Sequence, residues 1–363
     1  MPRAGIAPAT LALGSVALLA SCFPHRSIPR PERELAAEPR SYVDQFDRVW
    51  ERFDAVYPSF TYKQVDWARQ REQYRRRAER ARSQNELVAT LLAMLAPLRD
   101  RHVWLIDPRG HVVPSYRPGW SVNFDRARWQ QAMHEVGYVA RRGDVGDAWV
   151  GGYGYLHIGS WRPPVDTLIL DAMLDRYRDA PGLIIDVRTN AGGRDALALA
   201  FARRFTTRAF AASYVQVRTE FPELDLPLAR TISPRGSWQF TRPVVVLTGR
   251  GGLSATESFV AALRTLPQVT VVGDTTGGAS GNPVVVPLGN GWRFTVPRWM
   301  EYGPDQRPIE WRGVAPHLAV AWQPDQSGPG RDPLIDAAVG LLAERTGVYR
   351  VAPPADAPHA RDP

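Results

Sequence analysis

The stretch from Gly182 to Phe205, GLIIDVRTNAGGRDALALAFARRF, decides the fold of this chain. A short apolar run, GLIIDVR, reads as a buried strand, and DALALAFARRF reads as a helix of apolar periodicity. Between them lie Asn190, Gly192 and Gly193, a glycine-rich connection from the end of a strand to the start of a helix. Successive backbone N–H groups in such a turn can form an anion-holding nest beside a helix N-terminus, although the same residues also serve as ordinary loop chemistry.

The same alternation extends in both directions. Upstream, GYGYLHIGSW reads as a strand and VDTLILDAMLDRYRD as a helix; downstream come ASYVQVRTEF, RPVVVLT, a helix through ESFVAALRTL, and VTVVGD. Strands alternating with helices of this length predict an α/β core with parallel βαβ units. NPVVVPLGNGWRFTVPRWMEY reads as a hairpin turning at Gly289-Asn290-Gly291, and DPLIDAAVGLLAERT as a terminal helix. The core is assigned to residues 152–350, and the tail 351–363, rich in Pro, Ala and Asp, to disorder. Ahead of the core, SYVDQFDRVWERFDAVYPSF and SQNELVATLLAMLAPLRD carry apolar residues at helical spacing, the second opening on Ser83 and Asn85 as caps, so residues 41–100 form a small helical domain. Residues 101–151, with the strand-like pieces HVWLID, GWSVNF and GYVARRG, form a small β/loop insert, too short for a complete peptide-binding module of the PDZ type.

The chain has 363 residues, 44% hydrophobic and 23% charged, the balance of an ordinary globular protein with a sizeable core. Its net charge of +8 is carried by arginine, because Lys63 is the only lysine. The run RQREQYRRRAERAR (69–82) is the solvated face of a helix, and no nucleic-acid partner is expected. At the N-terminus LALGSVALLASC is an apolar segment of signal-peptide length that ends Leu19-Ala20-Ser21-Cys22. This resembles the bacterial lipobox, in which the cysteine is lipidated. Residues 1–22 are therefore expected to be a lipoprotein signal peptide and the proline-rich 23–40 a tether, placing the protein outside the cytoplasm on a lipid at Cys22 of a bacterial membrane. Cys22 is the only cysteine, which removes an intramolecular disulfide framework and argues against a zinc cluster or a cysteine nucleophile. No cofactor or metal is expected.

Ligands in open α/β sheets gather at the carboxyl ends of strands. A second glycine-rich turn, GRGGLSATESF (249–259), follows RPVVVLT and carries Ser254 at the mouth of a helix. A serine held on a sharp strand-to-helix turn exposes its hydroxyl, and the next N–H points to the same side. Together the two turns could supply an attacking oxygen and a two-donor oxyanion hole. Taken locally, Ser254-Ala-Thr-Glu257 is equally a helix capping box.

GLIIDVRTNAGG, GGLSATESFVAAL, VVGDTTGGASGNP and IEWRGVAPHLAV occur in the order and at much the spacing of the motifs of the C-terminal processing (tail-specific) serine peptidases, and the chain resembles that family over roughly residues 42–345. The resemblance implies a crotonase-like or Clp-protease-like β/α spiral core and makes Ser254 the nucleophile. One branch of the family uses a lysine in a GKG-like turn downstream of the serine. Here that turn reads TTGGASG, with Ala279 or a neighbour in the lysine's place, and the only lysine belongs to the N-terminal helical region, expected well away from it. The chain is instead similar to the branch of the tricorn core peptidase and the interphotoreceptor retinoid-binding proteins. By that likeness LRDRHVWL nominates His102 as base and PIEWRGVAPH nominates Glu310 as the carboxylate behind it, with the N–H of Ala255 and of Gly192 or Gly193 as oxyanion donors. Two departures stand out: Arg101 occupies the position of a bridging serine, and His317 that of an aspartate.

These residues predict a membrane-anchored serine peptidase acting on extracytoplasmic protein or peptide substrates. The alternative is a non-catalytic binding lipoprotein on the same fold, with the Trp-rich GWSVNFDRARW and WRFTVPRW lining its cleft. Neither composition nor resemblance sets the oligomeric state.

Overall fold

The computed structural model describes residues 39, 41–218, 226–323 and 331–349. The expected signal peptide with Cys22, the tether up to Glu38, the C-terminal tail and the end of ASYVQVRTEF lie outside the described residues. Among the described residues no helix is long and apolar enough to cross a membrane.

The chain begins with helices α1 (Tyr42–Val56), α2 (Phe60–Lys63), α3 (Trp67–Glu79) and α4 (Gln84–Leu95). Ser41, Asp66 and Ser83 cap α1, α3 and α4 by accepting the N–H three residues on, as their residue types favour. The apolar faces of these helices, led by Phe46, Phe53, Trp67, Leu91 and Leu95, do not close a core alone. They pack on a four-stranded sheet ordered β11-β12-β1-β2, in which β1 (Trp104–Ile106) and β2 (Val112–Pro114) follow the helices and β11 (Val284–Gly289) and β12 (Trp292–Val296) come from the far end of the chain. The β11/β12 hairpin turns at Asn290-Gly291, both at positive φ, as a tight two-residue hairpin requires.

The central sheet has seven strands in the order β14-β10-β9-β6-β5-β4-β3. These are β3 (Val139–Ala140), β4 (Val145–Val150), β5 (Tyr153–Ile158), β6 (Leu183–Asp186), β9 (Val244–Thr248), β10 (Val269–Gly273) and β14 (Leu318–Ala319). Pairing from β5 through β6, β9 and β10 to β14 is parallel, and β3, β4 and β5 pair antiparallel. The segment 101–151 thus supplies two strands of this sheet and helix α5 (Arg126–Glu135), while its piece GWSVNF carries no strand.

The sheet is buried on both faces, which explains the unbroken apolar strands. Val244, Val246, Leu183 and Ile185 face one core together with α6 (Thr167–Asp175), α7 (Asp195–Ala202) and α8 (Ala255–Arg264). Val245, Leu247 and Ile184 face the other, under α5 and α9 (Pro333–Thr346). A third sheet, ordered β13-β7-β8, joins β7 (Phe210–Val217), β8 (Leu228–Ile232) and β13 (Trp299–Tyr302). The outcome is the expected mixed α/β core with a helical N-terminal region.

Candidate active site

The neighbouring parallel strands β6 and β9 both end on glycine-rich turns, and one residue ties the turns together. Asn190 is fully buried; its side chain donates to the Ile158 carbonyl and accepts the Gly192 N–H, each at 2.9 Å. Its backbone carbonyl accepts the Leu253 N–H at 3.0 Å and the Thr256 hydroxyl at 2.9 Å. Beneath it, buried Arg188 bridges Asp186 at the end of β6 to Asp332, the N-cap of α9.

Ser254 stands at φ 56°, ψ −124°, a conformation that non-glycine residues rarely hold and that marks functional turns. It is held there from two sides. Its N–H donates to the Ala279 carbonyl at 2.9 Å and to Glu257 Oε2 at 3.1 Å, and its carbonyl accepts the Glu257 N–H at 2.7 Å. Glu257 exceeds its expected role as a cap. Its fully buried carboxylate also accepts the Thr276 hydroxyl at 2.6 Å and the N–H groups of Gly278 and Ala279 at 2.8 Å, clamping the TTGGASG turn to the Ser254 turn. Burial pushes this carboxyl up to about 7, against the pull of those donors.

Ser254 lines a cavity of about 460 Å³ together with His102, Gly193, Ala255 and Glu301. A larger open depression of about 800 Å³, walled in part by Phe205, Pro267 and Arg345, holds none of the candidate residues. Of the two candidate glycines, Gly192 spends its N–H on Asn190, whereas among the described residues the N–H groups of Gly193 and Ala255 make no hydrogen bond. Gly192 has a spatial requirement instead: at φ +94°, a Cβ on it would lie 2.8 Å from Ser254 Cβ.

His102 is delivered by the loop between the helical region and β1. Its backbone N–H donates to Asp100 Oδ1 at 2.8 Å, and its carbonyl accepts the Thr295 hydroxyl of β12 at 2.7 Å. The ring is buried, its Nδ1 has no partner among the described residues, and burial lowers its pKa to about 4 against the Asp100 carboxylate. At neutral pH it is therefore an uncharged imidazole. No hydrogen bond joins it to the Ser254 hydroxyl among the described residues; such bonds are often long before substrate closes a site.

Glu310 is not on the cavity wall but buried behind it, at 2% exposure. Its Oε2 accepts the Ser280 N–H at 3.2 Å, which joins it to the same turn that holds Ser254. Its Oε1 lies 2.7 Å from Lys63 Nζ, and Lys63 is also 2.8 Å from Asp100 Oδ2. The only lysine is thus not remote from the TTGGASG turn, as its sequence position suggested; α2 carries it to the turn's neighbour. Two buried carboxylates raise the pKa of its ammonium, the reverse of what a general base needs. Arg101 makes no hydrogen bond to Glu310 among the described residues: its guanidinium donates to the Arg250 carbonyl at 3.2 Å and the Gly277 carbonyl at 3.4 Å and lies over the Trp120 ring. His317 pairs with β10 just before the edge strand β14, its Nδ1 accepting the Val271 N–H at 3.0 Å. Sequence reasoning missed Asp100, Thr295 and Lys63 as site neighbours; a single lysine in an arginine-rich chain and an aspartate two residues before His102 were the available signals.

Residues 152–320 match peptidase family S41, and residues 39–96 match the tricorn protease C1 domain. A solved structure from Parabacteroides merdae, assigned as a peptidase, is 32% identical and superposes with a TM-score of 0.73 over 85% of this chain and 97% of its own. The carboxy-terminal processing protease CtpB of Bacillus subtilis is 29% identical over 155 residues, 42% of this chain; the match spans only 30% of that relative's length. The photosystem II D1 C-terminal processing protease shares the fold, with 17% identity and a TM-score of 0.51 over 82% of this chain and 98% of its own.

Proposed function

The chain belongs to peptidase family S41, and from that premise we propose that it hydrolyses peptide bonds with Ser254 as nucleophile, His102 as general base and Glu310 as the carboxylate behind the base. The observation that carries this reading is the shared cavity of Ser254, His102 and the unbonded N–H groups of Gly193 and Ala255. A serine hydroxyl attacks only when a base takes its proton, and a neutral imidazole does so near neutral pH. In the reading, His102 accepts the Ser254 proton as Oγ bonds to the scissile carbonyl carbon. The oxyanion settles between the N–H groups of Ala255 and Gly193, each worth about 3 kcal/mol in the transition state. The imidazolium then passes its proton to the leaving amine, and water releases the acyl group by the same route reversed. Gly192, nominated with Gly193, keeps the nucleophile turn close instead of donating.

The substrates are extracytoplasmic protein or peptide segments, in line with the carboxy-terminal processing named for the Bacillus subtilis relative. The lipobox-like Leu19 to Cys22 supports a lipid anchor at Cys22. The test is labelling by a fluorophosphonate: the wild type is expected to be labelled and to lose labelling and peptide hydrolysis on Ser254→Ala. Equal labelling of the two would overturn the assignment. Incorporation of a labelled fatty acid by wild type but not by Cys22→Ala tests the anchor.

A further inference from the structure

Lys63 ends α2, a four-residue helix that is too short to be stable for its own sake. It projects two side chains at the Glu310 loop: the Tyr62 hydroxyl donates to the Glu310 carbonyl at 3.0 Å, and Lys63 Nζ reaches the carboxylate. The lysine side chain is fully shielded from solvent, with the rings of Tyr57 and Trp311 at 5.5 and 5.3 Å from its nitrogen. Moving an ammonium into such surroundings costs several kcal/mol unless it is paired, and pairing with two carboxylates at 2.7 and 2.8 Å meets that cost. A residue needed only for packing would not require the charge.

What the ammonium bridges is specific. Asp100 uses its other oxygen to hold the His102 N–H, and Glu310 uses its other oxygen to hold the Ser280 N–H of the turn that supports Ser254. We propose that Lys63 is a positioning residue of the Ser254 site, which by bridging Asp100 to Glu310 holds the His102 loop and the Ser280 turn together and, as the counter-charge of both carboxylates, sets the pH range of activity. This inference rests on the peptidase reading given above.

The electrostatic argument runs through every group that faces the bridge. Tyr57 donates to Asp100 Oδ2 at 2.7 Å, and His102, Arg101 and Tyr62 lie within its field, with Arg312 near Tyr62. Burial and the Asp100 charge drive the Glu310 carboxyl upward, and Lys63 opposes them. Without the ammonium, two buried carboxylates face each other, and one takes up a proton. Asp100 keeps donors from Tyr57 and His102, so the proton goes to Glu310. A protonated Glu310 no longer stabilises the imidazolium that forms at His102 during attack.

The test measures the rate at which a fluorophosphonate inactivates the full-length protein as a function of pH. It compares wild type, Lys63→Met, Lys63→Arg, Glu310→Gln and the Lys63→Met/Glu310→Gln double variant. Lys63→Met is expected to slow inactivation at pH 7 by roughly tenfold or more and to move the acid limb about one pH unit or more toward alkaline pH. Lys63→Arg, which keeps the charge, should hold the limb near its wild-type position. In the Glu310→Gln background the Lys63 change should alter the rate by less than about twofold, because residues acting through one group are not additive. An unmoved limb in Lys63→Met, or a uniform loss at all pH values, would overturn the role. If Lys63→Met fails to fold, the double variant decides: a rate about tenfold or more below that of Glu310→Gln alone would overturn it. Failure of the wild type to be labelled at all would instead remove the peptidase reading itself.

Discussion

Lys63 Nζ and Glu310 Oε1 stand 2.7 Å apart across 247 positions of sequence. The helical region and the later part of the chain therefore meet at this ion pair, so the candidate site belongs to neither part alone. The same holds for His102, whose backbone is held by Asp100 on one side and by Thr295 of β12 on the other. Changes in the helical region should consequently register in the chemistry as well as in stability.

Tyr57→Phe isolates one strand of that coupling. The phenol donates to Asp100 Oδ2 at 2.7 Å inside a fully buried cluster. Its loss leaves Asp100 with Lys63 and the His102 N–H, so the expected cost is about 1–3 kcal/mol, the range for a hydrogen bond to a charged group. Urea unfolding measures it directly. A cost near zero would mean that the hydroxyl contributes nothing to holding Asp100.

Arg101 stands where the tricorn-like pattern places a serine, and its guanidinium is engaged with the Arg250 and Gly277 carbonyls beside the Trp120 ring. It supports the loops around the cavity and takes no part in proton transfer, having no acceptor. Arg101→Ala should cost about 1–2 kcal/mol in stability. Losing its charge, which lowers the His102 pKa, should move the acid limb of fluorophosphonate inactivation toward alkaline pH, and to the same extent in Arg101→Ser; a limb that differs between the two variants would mean that the serine hydroxyl joins the proton path.

Much of this arrangement is local in sequence and was legible there. GLIIDVR, NAGG and DALALAF are contiguous, so strand, turn and helix follow from apolar runs and glycines, and the Asn290-Gly291 hairpin follows from turn chemistry. Ser254 could be read locally as a cap residue, and Glu257 does more than cap: its carboxylate accepts the Ser254 N–H and grips Gly278 and Ala279 as well. The illegible parts are contacts that no period encodes. Pairing of β1 with β12 brings Leu105 to Phe294. The three-residue strand β1 and the four-residue helix α2 are too short to carry a periodic signal. GWSVNF alternates like a strand yet forms none; Asn123 within it instead donates to the Thr248 carbonyl at 2.8 Å, at the end of β9.

Glu257→Gln tests the clamp. Each carboxylate oxygen accepts at least one backbone N–H, from Gly278 on one side and from Ala279 and Ser254 on the other. Either orientation of the amide sets its NH2 against a backbone donor, so the expected loss is about 2–4 kcal/mol. Labelling of Ser254 should fall with it, because the turn that holds φ 56° is released. Preserved stability would show that the four donors find other partners.

Gly192→Ala should be more severe for chemistry than for folding. An added Cβ meets Ser254 Cβ and the Leu253 carbonyl at 2.8 Å, and φ +94° is unfavourable to any L side chain. A cost of about 2 kcal/mol or more is expected from strain and contact together. Labelling by a fluorophosphonate should be abolished, since the clash falls on Ser254, the proposed nucleophile; labelling at the wild-type rate would remove Gly192 from the site.

His102 supplies a pH signature with a definite sign. Burial lowers its pKa to about 4, whereas an unfolded histidine titrates at about 6.5. Between these values the unfolded chain binds the extra proton and the native chain does not, so stability rises with pH there and is lost as pH falls from 6.5 through 4. The full difference corresponds to about 3 kcal/mol. Glu257, raised to about 7 by burial, acts in the opposite direction, contributing stability at low pH that is lost as pH rises from about 4.5 to 7. The two slopes overlap, so the wild type alone would conceal the histidine. The comparison that exposes it is wild type against His102→Gln, unfolded by urea at steps from pH 7 to pH 4. The wild type should lose stability relative to the variant over that interval, by an amount approaching about 3 kcal/mol. A constant difference between the two would mean that His102 titrates as an exposed imidazole and is not held neutral beside Ser254.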